Sequence, residues 1–543
     1  MNKVSKSRNY IDILIIILMA FLAMIPLILK GTLFSGADIG YHLNRIFDTY
    51  QTLEHHHLFS YVATYSLNRI GIASNMSYGF LPLYILAIPF MFIHNYILAT
   101  YIGLIILFGI IMLISYFVGL IYWHNNRKSL IFALFYGLSN YLFNFAIGTF
   151  DIGQFFAAAF IPLVVFGCYS ILFLNNNNHW LLLPIGLSAV TYTHLISTIM
   201  IFSLVIFMFI LSIVLHKISA LKLYRLVLSA AVYFLMTIFY WYNLIIVLRS
   251  NIRATQSPKF ILGENAYNIL ESILKNEQSI GSIFLAFSIV GLLLWANLDN
   301  ITHGAFFIAL FYTFIISSAS NIFWVILSKT PIVKIQWAGR FIWIINFFIC
   351  FFVAETIFEL VNKKVSLRFR KIIFYLLMIT PLILFWSESV TLINHGSSQT
   401  AISRPATYSN PLPFQNFKIN SQNGFRYIIS SDYTGVGSLD YLPSKSMSNF
   451  KSLTDSQLFM NGKKINYYGY SRHNGMMYLI KKHKVNSIYD LPFANYSDCN
   501  YKVTVNGKRV PYYSTNRGTV GFRLSANNNN NNDLKIDVFY IPN

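Results

Sequence analysis

Acidic residues are scarce in this chain: 19 Asp and Glu stand against 40 Lys and Arg in 543 residues, and charged residues make up only 11%. A soluble domain carries about 25% charged residues, so an ordinary soluble protein is excluded. Cysteine is equally sparse. Cys168 and Cys350 fall inside apolar runs and Cys499 stands alone in a polar tail, which excludes a disulfide framework and a Cys-x-x-Cys metal pair. Walker-type loops, dinucleotide fingerprints, zinc-protease helices and Gly-x-Ser-x-Gly elbows are missing, so nothing points to a nucleotide-driven pump or a serine hydrolase. The long apolar runs carry almost no charge in their middles, and Glu355 and Glu359 lie toward a cytoplasmic end, against an ion-coupled transporter.

What the chain has in abundance is apolar length. Hydrophobic residues reach 56% and aromatics 17%, and runs of about 20 apolar residues recur from Ile11 to Val390, each long enough to cross about 30 Å of hydrocarbon. The net charge is +21, and thirteen of the 40 Lys and Arg stand in clusters at the ends of these runs: Lys3/Lys6/Arg8, Arg127/Lys128, Lys217/Lys222/Arg225 and Lys363/Lys364/Arg368/Arg370/Lys371. Such clusters mark cytoplasmic loops rather than nucleic-acid binding. The first run, Ile11–Leu29, ends without a small-residue cleavage site and reads as a retained span.

Threading the basic loops onto one side predicts a polytopic α-helical membrane protein with about eleven transmembrane helices, near 11–29, 98–122, 129–148, 154–174, 180–193, 197–216, 226–248, 280–297, 302–320, 340–361 and 371–390, and a cytoplasmic N-terminus. The short, proline-bearing stretch Phe80–Ile93 is expected to lie in the interface or to re-enter. Two domains follow: a transmembrane domain over 1–390 with an outer loop at 30–96, and an extracytoplasmic β-rich domain over 391–543. Short alternating runs in the latter, such as Tyr501–Val510 and Leu534–Tyr540, are separated by Asn-Gly and Arg-Gly turns and predict a small β-sandwich. From Asn394 onward the tail holds seventeen Lys and Arg against seven Asp, a balance suited to anionic head groups or an anionic wall polymer, or simply to a solvated face.

The polar residues with chemical potential gather on the outer side of this topology. In Gly36–Arg45 a helical spacing puts Asp38, His42 and Arg45 on one face. Asp38 could be a general base toward an acceptor hydroxyl, with the cations binding phosphate; the alternative is a helix cap, a hydrogen-bonded His42 and a snorkelling Arg45. Asp151, in the turn Gly148–Gln154, is a functional acid or the cap of the next helix. His194 stands at the outer end of a span, able to bond a sugar or phosphate oxygen or to be satisfied by neighbouring helices. Arg340, after Lys334–Gly339, opens a long span and is either a phosphate clamp or a snorkelling cation. The run His55–His57 points in different directions on a helix and suits an interface better than a metal.

These residues, in order, resemble the bacterial YfhO-like membrane proteins of the GT-C glycosyltransferase superfamily, close to those labelled 6-pyruvoyl-tetrahydropterin synthase-related. The resemblance is carried by Asp38-x-x-x-His42-Leu-x-Arg45, by Tyr78–Tyr84, by Asp151–Ala157 with Phe160–Leu163, by Thr193-His194, by Gln336-x-x-x-Arg340-Phe341, and in the tail by Gly437–Pro443 and Tyr501–Lys508. Gln154 and Asp440 stand where many relatives carry Glu, and the first loop lacks a Trp that many show. The resemblance implies a hexosyltransferase, inverting at the anomeric carbon, in the bacterial cytoplasmic membrane. It would move a monosaccharide from a polyprenyl-phosphate donor to a cell-envelope polymer or glycolipid, with no nucleic-acid partner. Asp38 would be the base and Arg340 would steady the departing phosphate, with His42, Arg45, Asp151, His194 and Gln336 as substrate-binding residues. No cofactor is predicted, although Asp38 and Asp151 leave room for a shared Mg or Mn ion. The rival readings are a non-enzymatic lipid-linked-glycan transporter or flippase, and an envelope-assembly scaffold.

Overall fold

The computed structural model describes residues 3–542 apart from 175–177, 251, 253–257, 278, 405–415, 431–440, 482, 485 and 526–532. The chain forms two compact units, the first comprising Met1–Gly31, Tyr101–Thr237 and Ser257–Ser398, the second Thr32–Thr100, Ile238–Gln256 and Gln399–Asn543. This division differs from the expected boundary near 390. The outer loop groups with the C-terminal residues because Leu33–Phe34 pairs antiparallel with Phe417–Ile419, and because the Asn474 side chain accepts the Tyr61 N–H at 2.7 Å.

Among the described residues, seven helices are long and apolar enough to cross a membrane, and eight if the bent pair Asn126–Gly137 and Asn140–Gly148 is one span. Three further expected spans fall on shorter helices, Leu182–Thr193 (12 residues), Ser282–Leu293 (12) and Asn300–Ile316 (17). At 1.5 Å per residue these fall short of a full bilayer crossing. Phe80–Ile93 forms the short helix Leu81–Phe92.

In the first unit the helix Ile342–Lys364 is buried along most of its length. Small residues allow the close approach that apolar helices need when lipid supplies no hydrophobic drive. A Cβ on Gly291 would stand 2.4 Å from the Phe352 ring, and one on Gly167 would stand 2.3 Å from the Leu183 backbone nitrogen. Polar groups within the spans pair with one another. Lys128 meets Glu355 at 2.6 Å while Trp123 Nε1 donates to the same carboxylate, and Tyr116 donates to Asp12 at 2.8 Å. Glu355 is thereby spent on helix packing, as a buried carboxylate must be.

The second unit contains a β-sandwich. One five-stranded sheet runs Lys508–Val510, Asn500–Val505, Leu534–Ile541, Gly475–Ile480, Tyr468–Arg472; the other runs Tyr512–Ser514, Thr519–Arg523, Ile488–Ala494, Leu458–Met460, Lys463–Ile465. Alternation sets the faces: along Leu534–Ile541 every second residue is buried, and Val503, Tyr478, Tyr489, Phe522, Ile536 and Val538 share one core. Asn506 and Gly507 take φ of 48° and 82°, the left-handed pair that closes a two-residue hairpin. Arg517 ties the second sheet together with two bonds to Asp490, at 2.9 and 2.7 Å.

Candidate functional site

Each unit carries polar side chains with chemical potential. In the first unit Asp151 is the N-cap of the helix Ile152–Ala157, its Oδ1 accepting the Gln154 N–H at 3.0 Å. Capping, one of the two roles open to this acid, is therefore in use. The same turn aims Gln154 at Arg340. Gln154 Nε2 donates to the Tyr141 hydroxyl at 2.9 Å and to the Arg340 carbonyl at 3.2 Å, while its Oε1 accepts from Arg340 Nη1 at 3.2 Å. Arg340 Nη2 donates to Gln336 Oε1 at 2.6 Å. The guanidinium is thus aligned by two neutral amides; among the described residues its buried Nε has no hydrogen-bond partner and it makes no ion pair.

Local backbone geometry builds this arrangement. Gln336 adopts φ 74° and ψ −45°, a tight-turn conformation costing of order 1–3 kcal/mol for a residue with a Cβ. It closes the 3-10 turn Pro331–Ile335 ahead of a second one, Ala338–Phe341, which leads into Ile342–Lys364.

His194 stands where Leu182–Thr193 breaks from Leu195–Val214, in extended conformation, and caps the second helix. Its Nδ1 lies 2.8 Å from the Ser197 hydroxyl and accepts the Ser197 N–H at 3.3 Å. Burial lowers the imidazole to about 4, opposed by the Asp151 carboxylate and reinforced by the Arg340 cation. Asp151, His194, Gln336 and Arg340 therefore share one electrostatic neighbourhood, with Gln154 and Tyr141 as members that the sequence did not single out as site residues.

In the second unit Asp38 begins the helix Ile39–Glu54 without capping it through its side chain. His42, one turn on, is buried edge-on between Tyr41 (ring centroids 5.4 Å apart) and Tyr78 (5.8 Å), and Tyr441 stacks on Tyr41 at 5.8 Å. Arg45 does not snorkel: it is 1% exposed. Its Nη2 donates to Asn75 Oδ1 at 3.1 Å and to the Gly79 carbonyl at 2.8 Å, and its guanidinium lies 4.7 Å from the Tyr78 ring centre. It braces the Asn75–Gly79 segment by hydrogen bonds and a cation–π contact, while its Nε and Nη1 have no hydrogen-bond partner among the described residues.

Asp48, one further turn along, was not foreseen. Its Oδ1 accepts the N–H groups of Thr64 and Tyr65 at 3.0 and 2.8 Å, and burial raises its carboxyl to about 6 against these bonds. The histidine run divides: His57 stacks on His473 at 3.8 Å and His55 on Tyr65 at 5.2 Å. Of the tail motif 437–443, residues 437–440 lie outside the described residues, and the Tyr441 carbonyl accepts the Tyr496 hydroxyl at 2.7 Å.

Helices and site together define a multi-pass membrane protein that carries an Arg-centred polar cluster and a β-sandwich. No family model matches the chain, and no curated protein sequence matches it. Among solved structures, the crystal structure of ArnT from Cupriavidus metallidurans bound to undecaprenyl phosphate aligns with a TM-score of 0.43 and 10% identity, over 86% of this chain and 96% of that one. At that level the likeness decides neither fold nor chemistry.

Proposed function

We propose that the protein is a membrane glycosyltransferase that moves a monosaccharide from a polyprenyl-phosphate donor to an extracytoplasmic envelope acceptor. The observation that carries this reading is Arg340, a guanidinium at the start of an apolar helix, oriented by Gln154 and Gln336 and unpaired with any described carboxylate. A cation so placed suits a lipid phosphate, whose tail lies in the bilayer and whose charge lies at its face. The resemblance of the ordered motifs to GT-C proteins supports the same reading.

In the proposed reaction Asp38 takes the proton of an acceptor hydroxyl. The hydroxyl oxygen bonds to the anomeric carbon as the bond from that carbon to the phosphate oxygen breaks, and Arg340 stabilises the charge gathering on the leaving phosphate. Attack opposite the leaving group inverts the anomeric centre. His194, neutral across ordinary pH, orients a hydroxyl; Asp151 sustains the Gln154–Arg340 geometry; His42 and Arg45 shape the segment that follows Asp38. The N-terminus is assigned to the cytoplasm and the β-sandwich to the outer face on the charge pattern of the loops.

Incubating purified protein with radiolabelled polyprenyl-phosphate hexoses tests this. Turnover by the wild type, lost in Arg340→Ala and Asp38→Asn, is expected. Movement of intact donor across vesicles without turnover would replace the transferase with the flippase reading.

A further inference from the structure

The first unit contains a pocket of about 530 Å³ with a mixed polar and apolar lining, within the ~300–1,000 Å³ range of small-molecule sites. Its walls include Asn144 and Gly148, on the segment leading to Asp151, and Trp337, three residues before Arg340. The two segments that build the Arg340 cluster therefore also border this pocket.

The wall is preformed. Asn140 Nδ2 donates to the Asn276 carbonyl at 2.7 Å, Asn276 Oδ1 accepts the Ser282 N–H at 2.8 Å, and the Ser279 hydroxyl donates to the Ser272 carbonyl at 2.9 Å. Trp337 folds back over Gly339, where a Cβ would come within 2.2 Å of the indole, so glycine is required for the ring to lie there. Glu264 and Glu277 line the pocket, and neither is in an ion pair among the described residues. The one lysine in the lining, Lys275, is already held by Glu271 at 2.6 Å.

We propose that this pocket is the acceptor-sugar subsite, and that it takes a neutral or amine-bearing saccharide rather than a phosphate-bearing polymer. The inference rests on the transferase reading for the word acceptor and on the pocket for its chemistry. A pyranose offers an apolar face of C–H groups, which an indole covers, and a rim of hydroxyls, which carboxylate and amide oxygens accept. Unpaired carboxylates attract an ammonium group and repel a phosphodiester, so the same groups select for one acceptor class and against the other.

Binding to purified full-length protein in detergent is measured by calorimetry and saturation-transfer NMR with three probes: methyl glucoside, glucosamine and glycerol 3-phosphate. Both sugars are expected to bind, glucosamine more tightly, and glycerol 3-phosphate at least about tenfold more weakly. Trp337→Ala should weaken both sugars about tenfold while Trp337→Phe restores most of the affinity, and Glu264→Gln with Glu277→Gln should erase the preference for glucosamine. Thermal melting confirms that each variant is folded. Glycerol 3-phosphate binding as tightly as the sugars, or sugar binding unchanged in folded Trp337→Ala, overturns the proposal. Donor turnover is read separately: turnover without sugar binding at this pocket sinks the subsite alone, and sugar binding lost in Trp337→Ala without any turnover sinks the transferase and leaves a saccharide site.

Discussion

Replacing Arg340 separates a phosphate clamp from a structural cation. The guanidinium makes side-chain bonds to Gln154 at 3.2 Å and Gln336 at 2.6 Å, both to neutral oxygens. A hydrogen bond from a charged donor contributes about 1.5–3 kcal/mol net, so Arg340→Ala should cost about 3–6 kcal/mol of stability and lower the melting point by several degrees. The effect on chemistry is read separately. A unit charge about 4 Å from a phosphate oxygen is worth about 4 kcal/mol at an effective dielectric of 20, and loss of one preorganised charge-stabilising donor slows enzymes about 10²–10³-fold. Arg340→Ala should therefore lower kcat by about two to three orders of magnitude. Arg340→Lys, which keeps the charge but not the planar fork, should fall between, at about tenfold. Gln336→Ala removes one alignment bond and leaves the cation, so its loss should be smaller than that of Arg340→Lys. The assay is release of polyprenyl phosphate from labelled donor, with melting curves run beside it. A folded Arg340→Ala protein within threefold of wild-type kcat would refute the clamp.

Other outcomes follow from individual groups. Gln336→Gly should relieve the backbone at φ 74° but give up the bond to Arg340, leaving thermal stability within about 1 kcal/mol of wild type while lowering activity, a split that melting and turnover read together. Burial raises Asp48 from 3.8 to about 6, so its stabilising share is fully present below pH 3.8 and is lost as pH rises through 6, about 3 kcal/mol in all. Asp48→Asn keeps an Oδ1 acceptor and should flatten that descent in melting curves taken from pH 4 to 8. His194, lowered by burial to about 4, should leave no limb near pH 6.5 in the turnover profile, and protonation on acidification from pH 6.5 through 4 should destabilise the fold; a limb near 6.5 that His194→Asn removes would contradict this. Arg517→Ala leaves the Asp490 carboxylate in the sandwich without its partner and should cost about 3–5 kcal/mol, seen as selective loss of the β-sheet transition.

The long helices were legible because length and apolarity are local properties of the chain. The hairpin at Asn506-Gly507 was legible for a similar reason: only a few residue types accept two successive positive φ values. Crossing length was less legible at 280–297 and 302–320, where the apolar runs continue past the turns that end the helices at Leu293 and Ile316. The grouping of 32–100 with the tail left no local mark, since Leu33 meets Ile419 across almost the whole chain. The site divides in the same way. Asp151, His194 and Arg340 are conspicuous as polar residues at the ends of apolar runs, whereas Gln154, which links Asp151 to Arg340, looks in sequence like an ordinary polar residue of a turn. Arg45 looked free to reach water because its partners, Asn75 and Gly79, lie about thirty residues away.

The most direct test of the transferase account is turnover of radiolabelled polyprenyl-phosphate hexose by the purified wild type and by Asp38→Asn, each shown folded by its melting curve. The account predicts labelled sugar leaving the lipid with wild-type protein and none above background with Asp38→Asn. Equal turnover by the two would remove Asp38 as the base, and no turnover by folded wild type with any hexose tried would contradict the transferase itself.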